Sequence, residues 1–217
     1  MLLTIIFLGK AGSGKGTQAH LLEEKINAKI IGTGDMLRSF AKSQAPTAKR
    51  IEKEVLLAGE LAPSWFVSYL WICELLHTDI KKNIVFDGSP RTLSEALLID
   101  EVLDWAERVS PRVFLLDISD IEATKRLQTR RVCGDCKKNY QGTSAEAESG
   151  TCSCGGKLAR RSDDTPESIK NRLTFFQTDV VPVIEHYRDK KWLVRVDGEQ
   201  SVDLAHRGIL ENLNKIR

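Results

Sequence analysis

The 217-residue chain predicts an α/β fold, a parallel five-stranded sheet flanked by helices and carrying two small insertions. Three observations carry that expectation. Five short apolar runs, each of strand length, are rich in β-branched and aromatic residues. Longer amphipathic stretches alternate with them, the pattern of strand–helix–strand units. The runs are apolar along their whole length, as expected when helices cover both faces of a sheet.

In chain order, LLTIIFL (2–8) is the first strand. It is short, lacks a basic flank and runs straight into glycines, so it reads as a buried strand and not as a secretory leader. A helix over 17–26 leads to the second strand, AKII (28–31). The stretch 32–62 is helical, polar and strandless. A helix over 63–79 precedes the third strand, NIVFD (83–87), and a helix over 92–108 precedes the fourth, RVFLLD (112–117). Residues 129–164 are rich in Gly, Ser, Cys and charge, with few large apolar side chains. A long amphipathic stretch over 167–190 leads to the last strand, WLVRVD (192–197). Neither 32–62 nor 129–164 could hold a core alone. Both read as insertions on the ligand edge of the sheet, in a core of 1–31, 63–128 and 165–217.

Lys and Arg number 32 against 30 Asp and Glu, a net charge of +2. That excludes a general nucleic-acid or membrane binder by bulk charge. No apolar run reaches the length of a membrane span, and a cytoplasmic protein is expected. Of five cysteines, four crowd into 133–154. Cys73 stands alone in an apolar helix and reads as a small buried hydrophobe.

The chemistry begins at GKAGSGKGTQ (9–18). Gly9, Gly12, Gly14 and Gly16 let the backbone turn so that successive N–H groups face an anion. Lys15 can reach terminal phosphates, and the helix that follows adds its positive end. Gly9, Gly14 and Lys15 match Gly-x-x-x-x-Gly-Lys, which makes the core that of a P-loop NTPase. Gly16 stands where the standard loop has Ser or Thr, and the hydroxyl comes one place late, at Thr17. Asp87 ends a buried strand, where a carboxylate can hold Mg2+ directly or through water. Arg91 follows a proline that stiffens the turn. Arg38, Arg91, Arg126, Arg130, Arg161 and Arg172 all fall near element ends, and arginines bind phosphate oxygens bidentately. Arg126 and Arg130 are one helical turn apart and are expected to share a face. Cys133-x-x-Cys136 and Cys152-x-Cys154 supply four thiolates for a closed, structural zinc site. The second pair is tighter than the usual Cys-x-x-Cys; the alternative is plain reduced thiols.

Together these stretches resemble the adenylate kinases, within the nucleoside monophosphate kinases. TGDMLR (33–38), GELA (59–62), DGSPRT (87–92), RLQTRR (126–131), RRSDD (160–164), NRL (171–173) and VDGEQSV (196–202) follow the loop in family order, over nearly the whole chain. The resemblance implies reversible phosphoryl transfer from MgATP to AMP, giving two ADP and serving adenine nucleotide homeostasis. Gly12, Ser13, Gly14, Lys15, Gly16 and Thr17 would cradle the donor, with Arg126 near its base and Gln200 offering backbone to it. Thr33, Gly34, Arg38 and the backbone of Glu60, Leu61 and Ala62 would hold the acceptor. Gly88 and Arg91 would hold its phosphate, with Glu95 at its base. Arg130, Arg161 and Arg172 would surround the moving phosphoryl, the last two also reaching the acceptor. Asp87 would anchor Mg2+, and Asp163 and Asp164 would help lock the closed state. Residues 32–62 become the acceptor-binding insert and 129–164 a lid with Cys133, Cys136, Cys152 and Cys154 on zinc. A monomer is expected by analogy.

Three residues depart from the family pattern. Ala11 replaces a proline and Ser89 a phenylalanine. Glu95 stands where adenylate kinases carry a glutamine that reads adenine. An ionised carboxylate only accepts hydrogen bonds, whereas guanine offers two donors. A kinase for GMP or another nucleoside monophosphate is therefore the alternative. More remote are a P-loop ATPase or switch, for which NLNKIR (212–217) lacks the guanine-reading Asp, and a zinc-ribbon binding module.

Overall fold

The computed structural model describes residues 2–79, 81–108 and 110–214. The expected core ends at residues 1 and 215–217 lie outside them. In chain order, β1 (Thr4–Leu8) passes through the glycine loop to α1 (Lys15–Ile26) and β2 (Ala28–Gly32). Then come α2 (Thr33–Ala41), α3 (Ala48–Arg50) and a π-helical segment (Ile51–Leu57). The chain returns with α4 (Ser64–Leu76), β3 (Asn83–Asp87), α5 (Leu93–Trp105), β4 (Arg112–Asp117) and α6 (Asp120–Thr129). A separate small unit follows: β5 (Arg131–Cys133), β6 (Asn139–Tyr140), α7 (Ala145–Ser149) and β7 (Leu158–Ala159). Last are α8 (Pro166–Phe175), a π-helical segment (Phe176–Val180), α9 (Val181–Asp189), β8 (Leu193–Asp197) and α10 (Val202–Asn214).

The main sheet is five-stranded and parallel, in the order β2-β3-β1-β4-β8, as the apolar runs predict. Side chains alternate between its faces. Ile6 and Leu8 of β1, Ile84 and Phe86 of β3, and Val113 and Leu115 of β4 join the core that includes Trp71, Ile99 and Tyr187. Ile5, Phe7, Val85, Phe114 and Leu116 join the opposite core, with Leu22 and Ile209. β1, β3 and β4 are buried on both faces and have no polar side to show, whereas the edge strand β8 exposes Arg195 and Asp197.

Side-chain caps set the starts of α5, α6 and α8: Thr92, Ser119 and Thr165 accept from the backbone N–H three residues on, and Thr165 and Ser168 form a reciprocal capping box with Pro166 in its first turn. Four differences from the sequence reading stand out. α1 begins two residues early, at Lys15, because the glycine loop feeds straight into it. The 167–190 stretch is interrupted by π-helical turns over Phe176–Val180. Cys73 is half-buried rather than buried. α6 ends at Thr129, with Arg130 outside it at φ −53° and ψ 138°, so Arg126 and Arg130 do not share a helical face. No helix among the described residues is long and apolar enough to cross a membrane.

Candidate active site

Every main-sheet strand delivers chain to one edge. The glycine loop follows β1, Thr33 follows β2, Asp87 closes β3, Ser119 follows β4 and Gly198 follows β8. This is the carboxyl edge of an open parallel sheet, where such folds bind ligands.

The loop turns on Gly9, Gly12 and Gly14, all at positive φ. A side chain at Gly9 would meet the Leu116 carbonyl oxygen at 2.4 Å, so the loop can lie against β4 only without one. Lys15 Nζ donates to the carbonyls of Gly9 (2.7 Å) and Lys10 (2.8 Å). Loss of water by burial pushes its ammonium down to about 8. Asp87 opposes that fall, and Arg91 and Arg130 add to it.

Asp87 Oδ2 lies 3.0 Å from where a Cβ on Gly16 would sit, a close approach of the carboxylate to the first turn of α1. A hard oxygen donor beside the first turn of α1 suits Mg2+.

After Asp87 the chain turns through Gly88, Ser89 and Pro90 to Arg91. Arg91 Nε donates to the Gly88 carbonyl at 2.8 Å, and its guanidinium lies 5.6 Å from the Phe175 ring centre. Thr33, fully buried, donates from Oγ1 to the Asp87 carbonyl at 3.5 Å. Arg38 is paired with Asp35, one turn earlier on α2. Ser89 and Glu95 are both buried beneath this turn. Glu95 Oε2 accepts from the Arg91 N–H (2.9 Å) and the Ser89 hydroxyl (3.2 Å). Burial pushes the Glu95 carboxyl up, against the Arg91 N–H, the Arg91 charge and the Ser89 hydroxyl.

Three arginines and two aspartates form one network. Arg130 grips Asp164 bidentately (2.9 and 2.6 Å). Arg161 grips Asp163 in the same way (2.9 and 2.5 Å). Arg172 bridges both carboxylates at 2.9 Å and donates to the Asp163 carbonyl. Burial alone would raise the Asp163 carboxyl; Arg161 and then Arg172 hold it well below the usual carboxylate range. Three guanidiniums against two carboxylates leave a positive surplus, and Lys15 and Arg91 are matched in number by Asp87 and Glu95. The cluster is suited to a phosphate group.

The loops after β4 and β8 are stitched together. Arg126 binds Glu122 (2.7 Å) and the Gly198 carbonyl (2.9 Å), and Glu199 accepts from the Ser119 N–H (2.7 Å). Lys10 donates to the Ile118 carbonyl and pairs with Asp120, both at 2.7 Å. Gln200 is half-exposed on the same loop. Glu60, Leu61 and Ala62 connect the π-helical turn to α4, and the Glu60 N–H donates to the Val55 carbonyl at 3.0 Å.

Away from the sheet edge, β5, β6 and β7 form a three-stranded antiparallel sheet. The sulfurs of Cys133, Cys136, Cys152 and Cys154 all lie within 4.8 Å of one another. Cys133–Cys154 and Cys136–Cys152 are 3.6 and 3.5 Å apart. A tetrahedron with Zn–S bonds of about 2.3 Å has sulfurs about 3.8 Å apart, so the four donors fit zinc, Cys-x-Cys included. The Cys154 N–H, then the Tyr140 hydroxyl, push the Cys152 thiol down, while against the Lys138 backbone contact the thiols of Cys154 and Cys152 push the Cys136 thiol up.

The family model described as Adenylate kinase matches residues 7–192. The chain belongs to the adenylate kinase family. The adenylate kinase of Thermosipho melanesiensis is 35% identical over 217 residues, 99% of this chain and 100% of its own length. Those of Methanocella arvoryzae and Archaeoglobus fulgidus are each 35% identical, with 99% of this chain and 100% of the relative covered. The protein is thus an enzyme of the adenylate kinase type, a kinase acting on nucleoside monophosphates. Adenylate kinases use Mg2+ with ATP.

Lys15, Asp87, Arg91, Arg130, Arg161 and Arg172 lie near one another at the carboxyl edge of the sheet. Arg126 lies on α6, bound to Glu122 and the Gly198 carbonyl, and Gln200 lies on the loop after β8. The sequence reading missed Lys10, Glu199 and Asn171. Asn171 Nδ2 donates to the Ala58 carbonyl at 2.9 Å, tying α8 to the 32–62 insert. Each lies inside a motif, in GKAGSGKGTQ, VDGEQSV and NRL, but its partner is set by a tertiary contact that the motif does not reveal. One local signal was available: Thr92-x-x-Glu95 has capping-box spacing.

Proposed function

We propose that the protein transfers the terminal phosphoryl group of MgATP reversibly to AMP, giving two ADP. The observation that carries this reading is Lys15 at the glycine loop with Asp87 beside it and four arginines gathered at the same sheet edge, in a chain that aligns end to end with proteins named Adenylate kinase.

The glycine loop from Gly12 to Thr17 binds the donor's phosphates through backbone N–H groups. Lys15 leaves the carbonyls of Gly9 and Lys10 for the group in transfer. Asp87 would hold Mg2+, which when bound would neutralise charge on the donor phosphates. Thr33, Gly34, Arg38 and the segment Glu60–Ala62 hold the acceptor nucleotide, and Gly88 and Arg91 its phosphate. The nucleophile is a phosphate oxygen whose second ionisation lies near pH 6, so no general base is required. Arg130, Arg161 and Arg172 exchange carboxylate contacts for phosphoryl oxygens. Until that exchange, Asp163 and Asp164 hold the three guanidinium planes in place. Arg126 and the backbone at Gln200 flank the donor base. Residues 32–62 and 129–164 act as acceptor insert and lid on the core, excluding water that would hydrolyse the donor. Cys133, Cys136, Cys152 and Cys154 would hold structural zinc, which orders a lid too small to order itself. The enzyme acts as a cytoplasmic monomer.

A turnover panel tests the acceptor: MgATP with AMP, GMP, CMP, UMP and dAMP, compared by kcat/KM. AMP is expected to lead GMP at least tenfold. GMP at or above AMP would overturn AMP as the acceptor.

A further inference from the structure

Glu95 is 2% exposed and Ser89 0%, yet both are polar and lie in contact beneath the Arg91 turn. A buried carboxylate persists only where donors meet it. Here two donors converge on one oxygen, Oε2: the Arg91 N–H at 2.9 Å and the Ser89 hydroxyl at 3.2 Å. The Glu95 N–H in turn donates to Thr92 Oγ1 at 3.3 Å. In an ordinary capping box the third helical residue reaches back to the N-cap N–H. Glu95 reaches one residue further, past Thr92, and holds the residue whose guanidinium faces the site. Arg91 Nε is already on the Gly88 carbonyl. Its backbone and the root of its guanidinium are therefore both fixed, and its Nη groups are what it presents to a phosphate. Ser89 Oγ also lies 3.4 Å from Thr33 Oγ1, so the same buried chain reaches the first residue of α2.

We propose that Glu95, together with Ser89, is a positioning residue for Arg91 and does not read the acceptor base. This rests on the reading that Arg91 grips the acceptor's phosphate. Every nucleoside monophosphate carries that phosphate, so the contribution of Glu95 is indifferent to the base. Ser89 is the matching half: its hydroxyl, with that of Ser64, adds to the Arg91 N–H the donors that a carboxylate needs at this depth.

The test is steady-state kinetics of Glu95→Ala, Glu95→Gln and Ser89→Ala with AMP, GMP and MgATP. Glu95→Ala is expected to raise KM for AMP about tenfold or more and KM for GMP by a similar factor, leaving the AMP:GMP ratio of kcat/KM within about threefold of wild type. KM for MgATP should move less than about threefold, which also reports that the variant is folded. Glu95→Gln keeps a carbonyl oxygen that can accept from the Arg91 N–H, so it should return KM for AMP to within about threefold of wild type. Ser89→Ala should raise KM for both monophosphates alike, by less than Glu95→Ala. A change of more than tenfold in the AMP:GMP ratio in either Glu95 variant would show that Glu95 reads the base and would overturn the proposal. So would an unchanged KM for AMP in Glu95→Ala. Failure of the AMP reading itself shows separately, as a GMP preference in the wild-type enzyme.

Discussion

At the residue scale, Lys15 carries a charge the fold does not readily support. Burial, with Arg91 and Arg130 nearby, pushes its ammonium down to about 8 despite Asp87. A bound triphosphate stabilises the ammonium and raises that value, so proton uptake and nucleotide binding are linked. Below about pH 8 the unliganded lysine is already protonated and affinity should be flat. Above it the enzyme must take up a proton to bind, and Kd for MgATP should rise by up to about tenfold per pH unit. Titration calorimetry from pH 7 to 9.5 reads this directly. Lys15→Met, which cannot titrate, should bind more weakly and show no such limb; a limb of wild-type slope in the variant would assign the titration elsewhere. Lys15 stood out by its glycine-loop spacing and Asp87 by its strand end, whereas the arginines were singled out only collectively and took their roles from the resemblance to the adenylate kinases. The Ser89–Glu95–Arg91 contact was not, since it depends on both side chains turning inward.

At the element scale, legibility followed burial. β1, β3 and β4 are covered on both faces, so their runs are apolar throughout and easy to read. β6 and β7 have two residues each, too short for any period to register. The π-helical turns at Ile51–Leu57 and Phe176–Val180 carry no sequence mark beyond ordinary helical composition. The cysteine spacing announced the small sheet better than its strands did. That sheet's own core is Cys133, Tyr140, Cys152 and Leu158, with Ala147 against it. Two of its four buried members are thus proposed zinc ligands, and little apolar surface remains without the metal. Removing zinc with a strong chelator should speed amide exchange across 131–159 by at least about tenfold, leaving β1, β3 and β4 protected. Hydrogen-exchange mass spectrometry with a metal assay checks it. Unchanged exchange in verified metal-free protein would mean that the lid orders without zinc.

At the scale of the whole molecule, α8 holds the parts together. Arg172 on α8 and Arg130, where the chain leaves α6, meet on Asp164. The lid segment therefore leaves and returns through one ion pair of 2.6 Å. On the same helix, Asn171 ties the 32–62 insert through the Ala58 carbonyl. The carboxylates of this network hold the arginines that, in the proposed mechanism, phosphate oxygens take over. That makes a separable prediction for Asp164→Asn. With one anion gone, Arg130, Arg161 and Arg172 are left with Asp163 alone. Removing one partner of a buried pair costs about 3–5 kcal/mol. The partial exposure of the arginines and the acceptor oxygen retained by Asn reduce this to about 2 kcal/mol. For a chain of this size the unliganded Tm should fall by about 4–8 °C. Phosphates restore the missing negative charge, so AMP with a non-hydrolysable MgATP analogue should raise Tm more in the variant than in wild type. Thermal melts with and without these ligands decide the matter. Equal ligand shifts in the two proteins would mean that Asp164 does not hold the place of a phosphate, and that the arginines reach the transferring group by another rearrangement.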